Sequence, residues 1–518
     1  MKATLVSRAV LLAVIAAYEL NPVSAAAAPC ESLRSLALPN TTITAAELVP
    51  AGPFQALYTP PPPPVMLPAH CRVSAVLAPS SDSHIEMEVW LPSENWNGKF
   101  QAVGNGGWAG TISFGTGAPT PVPRSMVSAL KEGYATASND TGHKGAEGGL
   151  ASFALGHPEK LVDFADRAVH EMTVKSKSIV AAFYGSGPRL SYWNGCSTGG
   201  RQGLMSAQRH PEDFDGIVAG APANYWTHLM AGIVSAAQAT HKDQPGNIPA
   251  EKLVLLHDAV LQACDALDGV KDGVLEDPTR CKFDPKQLEC KGAEGPACLT
   301  APQVEGARQV YGGAVNPRTK QLIYPGMALG SERGWDPVNG LQPLAIAEGH
   351  FRFVVFKDPS WNYRALNCDS DIALTDTTDD GLITAINPDL RAFFARGGKL
   401  LQYHGSNDQQ ISPQNSVNYY MSVSERLGGA SKVSDSYRLF MVPGMRHCSQ
   451  GEGANQFNPM AALERWRESH VAPDQIPAFH VTNGVVDTTR PLCPYPEVAS
   501  YKGSGSTNDA GNFSCKVP

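Results

Sequence analysis

The stretch RLSYWNGCSTGGRQGLMSAQR, residues 189–209, contains a G-x-S-x-G pentapeptide at residues 195–199. Residues 189–194 alternate apolar and polar side chains and end in aromatics, which predicts a buried strand, and residues 199–209 predict a helix. Small residues around Ser197 let a strand and a helix pass close together while the serine hydroxyl stays exposed. The stretch therefore predicts a nucleophile elbow. The alternative is a glycine-rich turn without a catalytic role, and the order of strand, turn and helix argues against it.

Two downstream segments carry an acid and a base in the chain order of an α/β-hydrolase fold, in which an acid and then a histidine follow the serine. A strand predicted over residues 399–404 leads into a turn with Asp408, and a strand predicted from residue 437 precedes a Pro-Gly loop with His447. His447 alone is equally compatible with a structural histidine. Together these residues predict a Ser197, His447, Asp408 triad. The rival acids lie in a polar segment that no predicted strand enters; they are Asp369, Asp371, Asp379 and Asp380.

Cysteines stand directly beside two of the three predicted catalytic residues. Cys196 precedes the serine, and Cys448 follows the histidine. If Ser197 and His447 meet within hydrogen-bond distance, the two thiols come close enough to form a disulfide. The alternative, two unrelated buried thiols, does not explain why both lie next to a catalytic residue.

Three motifs resemble those of the tannase and feruloyl esterase family, which includes the mono(2-hydroxyethyl) terephthalate hydrolase of plastic degradation. They are GCSTGGR at 195–201, HGSND at 404–408 and PGMRHC at 443–448. The resemblance extends to residues 96–108, 137–143 and 211–222 and so covers nearly the whole mature chain. Arg446 departs from the glycine that family members often carry before His-Cys, which leaves the triad intact. The resemblance implies a serine esterase for aromatic-acid esters.

Length and alternating elements predict an α/β-hydrolase domain with a large inserted lid domain. The 518 residues exceed one compact core. Strands predicted near residues 86–91, 100–103, 134–137 and 189–194 alternate with helices, as in a doubly wound sheet, and the pattern resumes after residue 388. We therefore assign residues 28–223 and 388–518 to the catalytic domain and residues 224–387 to the lid. The net charge of −8 argues against a nucleic-acid partner.

The first 27 residues have the pattern of a signal peptide. Lys2 and Arg8 precede an apolar run over residues 9–17, and small residues at 23–28 resemble a cleavage site. No later stretch is long and apolar enough to span a bilayer, so no membrane association is predicted. We expect a secreted or periplasmic protein.

Eleven cysteines fit an oxidising compartment. Spacing alone leaves their connectivity open, and no C-x-x-C pair or histidine cluster at ligand spacing favours zinc. Local spacing together with the family pattern implies five disulfides and a free Cys368. These are Cys30–Cys71, Cys196–Cys448, Cys264–Cys281, Cys290–Cys298 and Cys493–Cys515.

The lid segment DALDGVKDGV, residues 265–274, packs three carboxylates and two glycines into ten residues. It does not match an EF-hand, and by itself a solvated acidic loop is the simpler interpretation. The resemblance implies a structural Ca²⁺ at this segment, braced by the Cys264–Cys281 pair. The ligands implied are the side chains of Asp265, Asp268 and Asp272 with the carbonyls of Val270 and Val274.

An oxyanion hole and an aromatic pocket complete the predicted site. The Thr198 N–H and a donor from Gly106 or Gly107 are expected to bind the oxyanion, although a plain glycine turn is the alternative for residues 104–107. We expect His404 to line the pocket. The resemblance implies that a lid closes over the aromatic ring of the acid, so some lid side chains should stack on it, although each alone is equally a core residue. The candidates are Tyr225, Trp226, Trp335, Phe351, Arg352, Phe353 and Phe356.

Three functions are compatible with these observations. The first is an esterase for feruloyl, chlorogenic, galloyl or similar aromatic-acid esters. The second is a hydrolase of terephthalate-type monoesters or diesters. The third is a calcium-stabilised binding protein with a vestigial triad, against which the intact Ser197, Asp408 and His447 argue. No organic cofactor is expected.

Overall fold

A computed structural model describes residues 27–55, 63–115, 122–145, 150–241, 246–335 and 344–518. The predicted signal peptide lies almost entirely outside these residues. The strands are β1 Thr41–Val49, β2 Gly52–Phe54, β3 Val65–Leu67, β4 His70–Leu77, β5 Ile85–Pro92, β6 Lys99–Val103, β7 Ala135–Asn139, β8 Leu190–Cys196, β9 Gly216–Gly220, β10 Ala314–Val315, β11 Leu322–Tyr324, β12 Lys399–Gly405, β13 Tyr437–Val442, β14 Ile476–Thr482, β15 Val485–Leu492, β16 Val498–Tyr501 and β17 Phe513–Lys516. The α-helices are α1 Met126–Lys131, α2 Pro158–Val162, α3 Ala168–Tyr184, α4 Thr198–Arg209, α5 Trp226–His241, α6 Ala250–Cys264, α7 Ala301–Gly312, α8 Ala345–Gly349, α9 Asp371–Asp379, α10 Arg391–Ala395, α11 Pro413–Arg426, α12 Ala430–Val433 and α13 Pro459–Ser469.

Nine strands form one sheet in the order β1-β4-β5-β7-β6-β8-β9-β12-β13. Strands β7, β6, β8, β9, β12 and β13 run parallel, whereas β1, β4 and β5 extend the sheet in antiparallel pairing. The strands predicted near 86–91, 100–103, 134–137 and 189–194 are therefore present, and the α/β-hydrolase fold is confirmed. The antiparallel edge departs from a purely parallel, doubly wound sheet.

The sheet positions the three predicted catalytic residues at one edge. Strand β8 ends at Cys196, β12 ends at Gly405 and β13 ends at Val442. These strands and β9 are parallel neighbours, so their carboxyl ends meet at the same side of the sheet, where open α/β folds bind ligands. Ser197, Asp408 and His447 follow directly on those ends.

The elements between residues 224 and 387 lie outside the nine-stranded sheet. Helices α5 and α7 pack together there. The buried cluster around Trp335 lies within this region, whereas the cluster around Trp226 also contains Trp108 and Phe164 of residues 28–223. The region therefore packs partly on itself and partly on the rest of the chain, and its assignment as an inserted domain stays a prediction. Its function as a lid stays a prediction.

All five disulfides implied by the family pattern are present, and Cys368 is buried and unpaired with another cysteine. Across the described ranges, no helix has both the length and the apolar character needed to cross a bilayer.

Candidate active site

Ser197 occupies a strained turn between β8 and α4. Its backbone has φ 64° and ψ −122°, a conformation that non-glycine residues rarely adopt. Its N–H donates to the Gly220 carbonyl at 3.0 Å. A Cβ atom on Gly195 would lie 2.6 Å from the Gly199 backbone, so only glycine permits this approach of strand and helix. The side chain stays partly exposed, as a nucleophile elbow requires.

Asp408 and His447 form a close pair at the next strand ends. The Nδ1 atom of His447 lies 2.7 Å from Asp408 Oδ2. The carboxylate is fully buried, and its other oxygen accepts the backbone N–H groups of Gln410 and Ile411 at 2.8 and 2.9 Å. Burial alone would raise the pKa of Asp408, but the charge of His447 and hydrogen bonds from His404 and His447 hold that pKa below its ordinary value. Asp408 is therefore an anion that can orient His447.

The serine and histidine are linked through their neighbours. Cys196 and Cys448 form a disulfide with a Cα–Cα distance of 6.0 Å. The described residues contain no hydrogen bond between Ser197 Oγ and His447 Nε2, and Nε2 lies 3.6 Å from Cys448 Sγ. Catalytic hydrogen bonds are often long in the free enzyme and shorten with substrate. The disulfide joins the residues next to Ser197 and His447, and a hydrogen bond between these two side chains stays a prediction.

The glycine loop after β6 packs against the start of α4. The Thr198 hydroxyl donates to the Gly107 carbonyl at 2.6 Å, and the Gly199 N–H donates to the Asn105 carbonyl at 2.8 Å. The Thr198 N–H opens α4 and so has no acceptor within the helix. Within the described ranges, neither the Gly106 nor the Gly107 N–H has an acceptor. These donors suit an oxyanion hole, and that role stays a prediction.

His404 lies beneath Asp408 rather than in a pocket, which corrects its predicted place. The ring is fully buried, with Nε2 at 3.2 Å from Asp408 Oδ2 and 3.0 Å from the Ile411 carbonyl. Both neighbours are acceptors, so Nε2 carries a proton, and Nδ1 lies 2.6 Å from Ser416 Oγ. Two histidines therefore contact the same carboxylate oxygen of Asp408, Oδ2.

Gln409 is a further positioning residue that the sequence pattern did not reveal. Its Oε1 accepts the His447 N–H at 3.2 Å. The region between residues 224 and 387 reaches the same loop, because Asn407 Nδ2 donates to the Gly330 carbonyl at 2.8 Å and a Cβ on Gly334 would meet the Gln409 side chain at 2.7 Å. No local motif marks such a contact across the chain.

Comparisons with known proteins agree with this geometry. A family model described as tannase and feruloyl esterase matches residues 71–516. The chain belongs to this family. It is 38% identical to an uncharacterized esterase of Xanthomonas campestris pv. campestris over 98% of this chain and 94% of the relative. It is 36% identical to a probable feruloyl esterase B-2 of Aspergillus terreus over 86% of each chain. The crystal structure of feruloyl esterase B from Aspergillus oryzae superposes with a TM-score of 0.86 at 31% identity, covering 94% of this chain and 99% of that one.

This member of the tannase and feruloyl esterase family is thus a carboxylic ester hydrolase. Several aromatic side chains of residues 224–387 were predicted to contact its substrate. Trp226, Trp335 and Phe351 have no exposed surface. Trp226 packs on Trp108 and Phe164, and Trp335 packs on Tyr311. Trp335 belongs to a cluster within residues 224–387, whereas Trp226 and Phe351 belong to a cluster that also contains Trp108 and Phe164. None of the three side chains is accessible to a ligand in this structure, and their stacking on substrate stays a prediction.

Arg352 and its neighbours also have structural partners. Arg352 Nε donates to the Trp361 carbonyl at 2.9 Å, and Nη2 lies 3.2 Å from Glu348 Oε1. Phe353 is buried in the same cluster, and Phe356 stacks on Trp361 at 5.4 Å between ring centroids. Two donor nitrogens of Arg352 therefore have partners within residues 224–387, while its side chain stays 29% exposed, and its contact with substrate stays a prediction.

Tyr225 differs from these residues because it lines a cavity. Its ring stacks on His228 at 3.9 Å between centroids and faces a cavity of about 580 Å³ that Arg209, Asp376 and Asp379 also line. Since Arg209 ends α4, the cavity opens at the opposite end of that helix from Ser197. Contact of Tyr225 with the reacting ester stays a prediction.

The acidic segment at residues 265–274 forms a tight loop of oxygen donors. Asp265 accepts the Gly273 N–H, and Asp268 and Asp272 accept the N–H groups of Val270 and Val274. Partial burial raises the pKa of Asp268 and of Asp272, and the neighbouring carboxylates raise both further. Carboxylate and carbonyl oxygens are the donors that Ca²⁺ prefers. In the described structure, however, the carboxylates of Asp265, Asp268 and Asp272 do not all lie within 4.8 Å of one another, and Arg490 pairs with Asp272 at 2.5 Å, so Ca²⁺ binding stays a prediction.

Proposed function

We propose that this protein is an exported serine esterase that cleaves carboxylic esters of aromatic acids, of the hydroxycinnamoyl or galloyl type. The observation that carries the proposal is the strained Ser197 held beside the Asp408–His447 pair by the Cys196–Cys448 disulfide. Membership of the tannase and feruloyl esterase family supports the substrate class. Five disulfides support export to an oxidising compartment.

The mechanism has two acyl-transfer steps. His447 Nε2 takes the proton of Ser197 as Oγ attacks the ester carbonyl, and Asp408 stabilises the imidazolium at Nδ1. The tetrahedral oxyanion receives N–H groups from Thr198 and from Gly106 or Gly107. Collapse breaks the ester bond, and His447 gives its proton to the leaving alcohol.

Hydrolysis then completes the cycle. Water gives a proton to His447 and attacks the acyl carbonyl, and the second tetrahedral intermediate collapses to the free acid. Ser197 recovers its proton from His447. The buried Asp408, held by His404 and two backbone N–H groups, keeps the same position in both steps.

Hydrolysis rates on a matched ester panel test this proposal. The panel contains methyl ferulate, methyl gallate, a terephthalate monoester and 4-nitrophenyl acetate, each measured against the Ser197→Ala protein as blank. We expect the highest kcat/KM on the ferulate or gallate ester. A clear preference for the terephthalate monoester would contradict the proposed substrate class, and no turnover of any ester would contradict an active enzyme.

We also propose a structural Ca²⁺ at the loop of residues 265–274. Asp265, Asp268 and Asp272 would supply carboxylate oxygens, and Val270 and Val274 would supply carbonyls. Bound Ca²⁺ would neutralise the crowded carboxylates. The loop begins next to the Cys264–Cys281 disulfide, and Asp272 contacts Arg490 of β15, so the ion would join the lid to the C-terminal hairpins.

Removing this ion should lower thermal stability without removing a catalytic group. A chelator should lower Tm by several degrees, because an ion that binds only the folded state stabilises it by mass action. Asp268→Ala should abolish that response, whereas Asp258→Ala, an exposed aspartate on α6, should preserve it. If elemental analysis found no calcium in dialysed protein and Asp268→Ala had an unchanged Tm, the Ca²⁺ proposal would be contradicted. The segment would then be a solvated acidic loop.

A further inference from the structure

Two histidines that are distant in sequence meet on the surface of the catalytic domain. His170 lies in the first turn of α3, and His210 follows the last residue of α4. Their rings stack at 3.9 Å between centroids with an angle of 16° between planes. One ligand nitrogen of each ring and a carboxylate oxygen of Glu212 lie within 4.8 Å of one another. Among the described residues, this is the one group of three or more metal-ligating side chains so closely spaced.

A carboxylate orients each ring, buried in the case of Asp213 and partly buried in the case of Asp166. His170 Nδ1 lies 2.9 Å from Asp213 Oδ2, and His210 Nε2 lies 3.1 Å from Asp166 Oδ2. A nitrogen that faces a carboxylate carries the proton, so the lone pairs of the neutral rings are on His170 Nε2 and His210 Nδ1. Histidines that bind metals have this arrangement, in which the second nitrogen donates to a carboxylate and fixes the tautomer.

Ion pairing explains only part of this cluster. The aspartates account for one nitrogen of each ring, but Glu212 forms no ion pair with any described residue. Its carboxylate is exposed beside two rings that remain partly accessible. The net charge around the two rings is negative. Three carboxylates, those of Asp166, Asp213 and Glu212, face two cationic side chains. These are Arg209, at 3.3 Å from Asp166, and the nearby Lys177.

We infer that His170, His210 and Glu212 form a Zn²⁺ site on the catalytic domain. Two imidazoles and one carboxylate are a ligand set that zinc accepts, with water in the fourth position. Tetrahedral ligands at ordinary zinc distances are about 3.3 Å apart, so the side chains need to close by about 1.5 Å at most. The exposed Glu212 side chain, which is free of ion pairs among the described residues, would move toward the two rings to close this distance.

The ion would link α3 to the end of α4, the helix that begins beside Ser197. Twelve residues of α4 separate the zinc ligands from the nucleophile, which is about 18 Å at the rise of an α-helix. Zinc would therefore stabilise the packing of two helices and take no part in ester cleavage. We expect it to raise Tm and to leave kcat unchanged.

Zinc titration of the full chain tests the site. The protein is stripped with a chelator and then saturated with Ca²⁺, so that the loop at residues 265–274 does not compete. Isothermal titration with Zn²⁺ is expected to give one site per chain of micromolar or tighter affinity, with a rise in Tm. Failure of the wild-type protein to bind zinc would overturn the inference.

Two variants remove a ligand nitrogen and keep the contact with its aspartate. His170→Asn retains a donor near the Nδ1 position for Asp213, and His210→Gln retains one near Nε2 for Asp166. Each should weaken Zn²⁺ binding at least tenfold and abolish the Tm rise, with esterase kcat unchanged. The control is His480→Asn, because His480 Nδ1 also faces an aspartate, Asp487, at 2.8 Å. Wild-type affinity in both ligand variants would show that zinc binds elsewhere and would overturn the inference.

Discussion

The Ser197→Ala variant is expected to lose at least about a thousandfold in kcat while remaining folded. In the proposed mechanism Ser197 Oγ is the atom that attacks the ester, and no other group is assigned that role. His447→Ala should be comparably damaging, and Asp408→Asn somewhat less so, because the amide keeps part of the orientation of His447. Circular dichroism and Tm should match the wild-type protein, because the Ser197 side chain is partly exposed and removal of its hydroxyl leaves no buried cavity.

The matched control for this variant is Ser206→Ala. Ser206 lies on the same helix α4, and its hydroxyl donates to the Gln202 carbonyl at 3.0 Å, far from the reacting atoms. We expect near wild-type kcat in this variant and at most a small change in Tm. Substantial ester turnover by purified Ser197→Ala would contradict the assignment of the nucleophile, and with it the proposed mechanism.

The fold and the chain order of the proposed catalytic residues could be predicted from local sequence patterns. The elbow needs glycines at fixed positions, and a Cβ on Gly195 or Gly104 would collide with backbone atoms at 2.6 Å. Such steric requirements restrict these positions to small residues, and the resulting pattern can be recognised in the sequence. Asp408 and His447 each follow a buried strand by a few residues, so local periodicity was enough to place them at one sheet edge.

The sequence could not decide which aromatics of residues 224–387 contact substrate, because composition does not separate a pocket wall from a core. Trp226 and Phe351 are completely buried, in a cluster that also contains Trp108 and Phe164. Arg352 was predicted to contact the substrate. In the structure its guanidinium donates to the Trp361 carbonyl and lies close to the Glu348 carboxylate. Deciding between the two roles requires the three-dimensional contacts, which no spacing rule supplies.

Contacts between distant segments were also beyond the reach of sequence patterns. His170 and His210 lie on different helices, and only the packing of α3 against α4 stacks their rings. The support of Asp408 by His404 was missed for a different reason. Its position was noted, but the direction of its ring depends on how residues 405–416 fold back over it.

The Cys196–Cys448 disulfide should affect both stability and catalysis. It joins residues 252 apart in sequence, and in the chain-entropy model closing such a loop stabilises the folded state by about 5.5 kcal/mol. It also lies next to the proposed nucleophile and base, which form no hydrogen bond with each other among the described residues. The Cys196→Ala, Cys448→Ala double variant should therefore have a lower Tm and, even well below that Tm, a kcat reduced at least tenfold.

The expected loss of kcat distinguishes positioning of Ser197 and His447 from a general loss of stability. The Cys290–Cys298 disulfide provides the control for this comparison. That bond spans 8 residues in the lid, for which the same model gives about 2.5 kcal/mol. Its double alanine variant should also lose Tm but keep wild-type kcat at a temperature where both proteins are folded. Peptide mapping of the wild-type protein should recover Cys196 and Cys448 in one linked fragment. If the Cys196, Cys448 variant retained full kcat when folded, the disulfide would stabilise the fold without positioning Ser197 and His447. The alignment of these two residues would then have to arise from the strand ends and from the Gln409 contact to the His447 backbone.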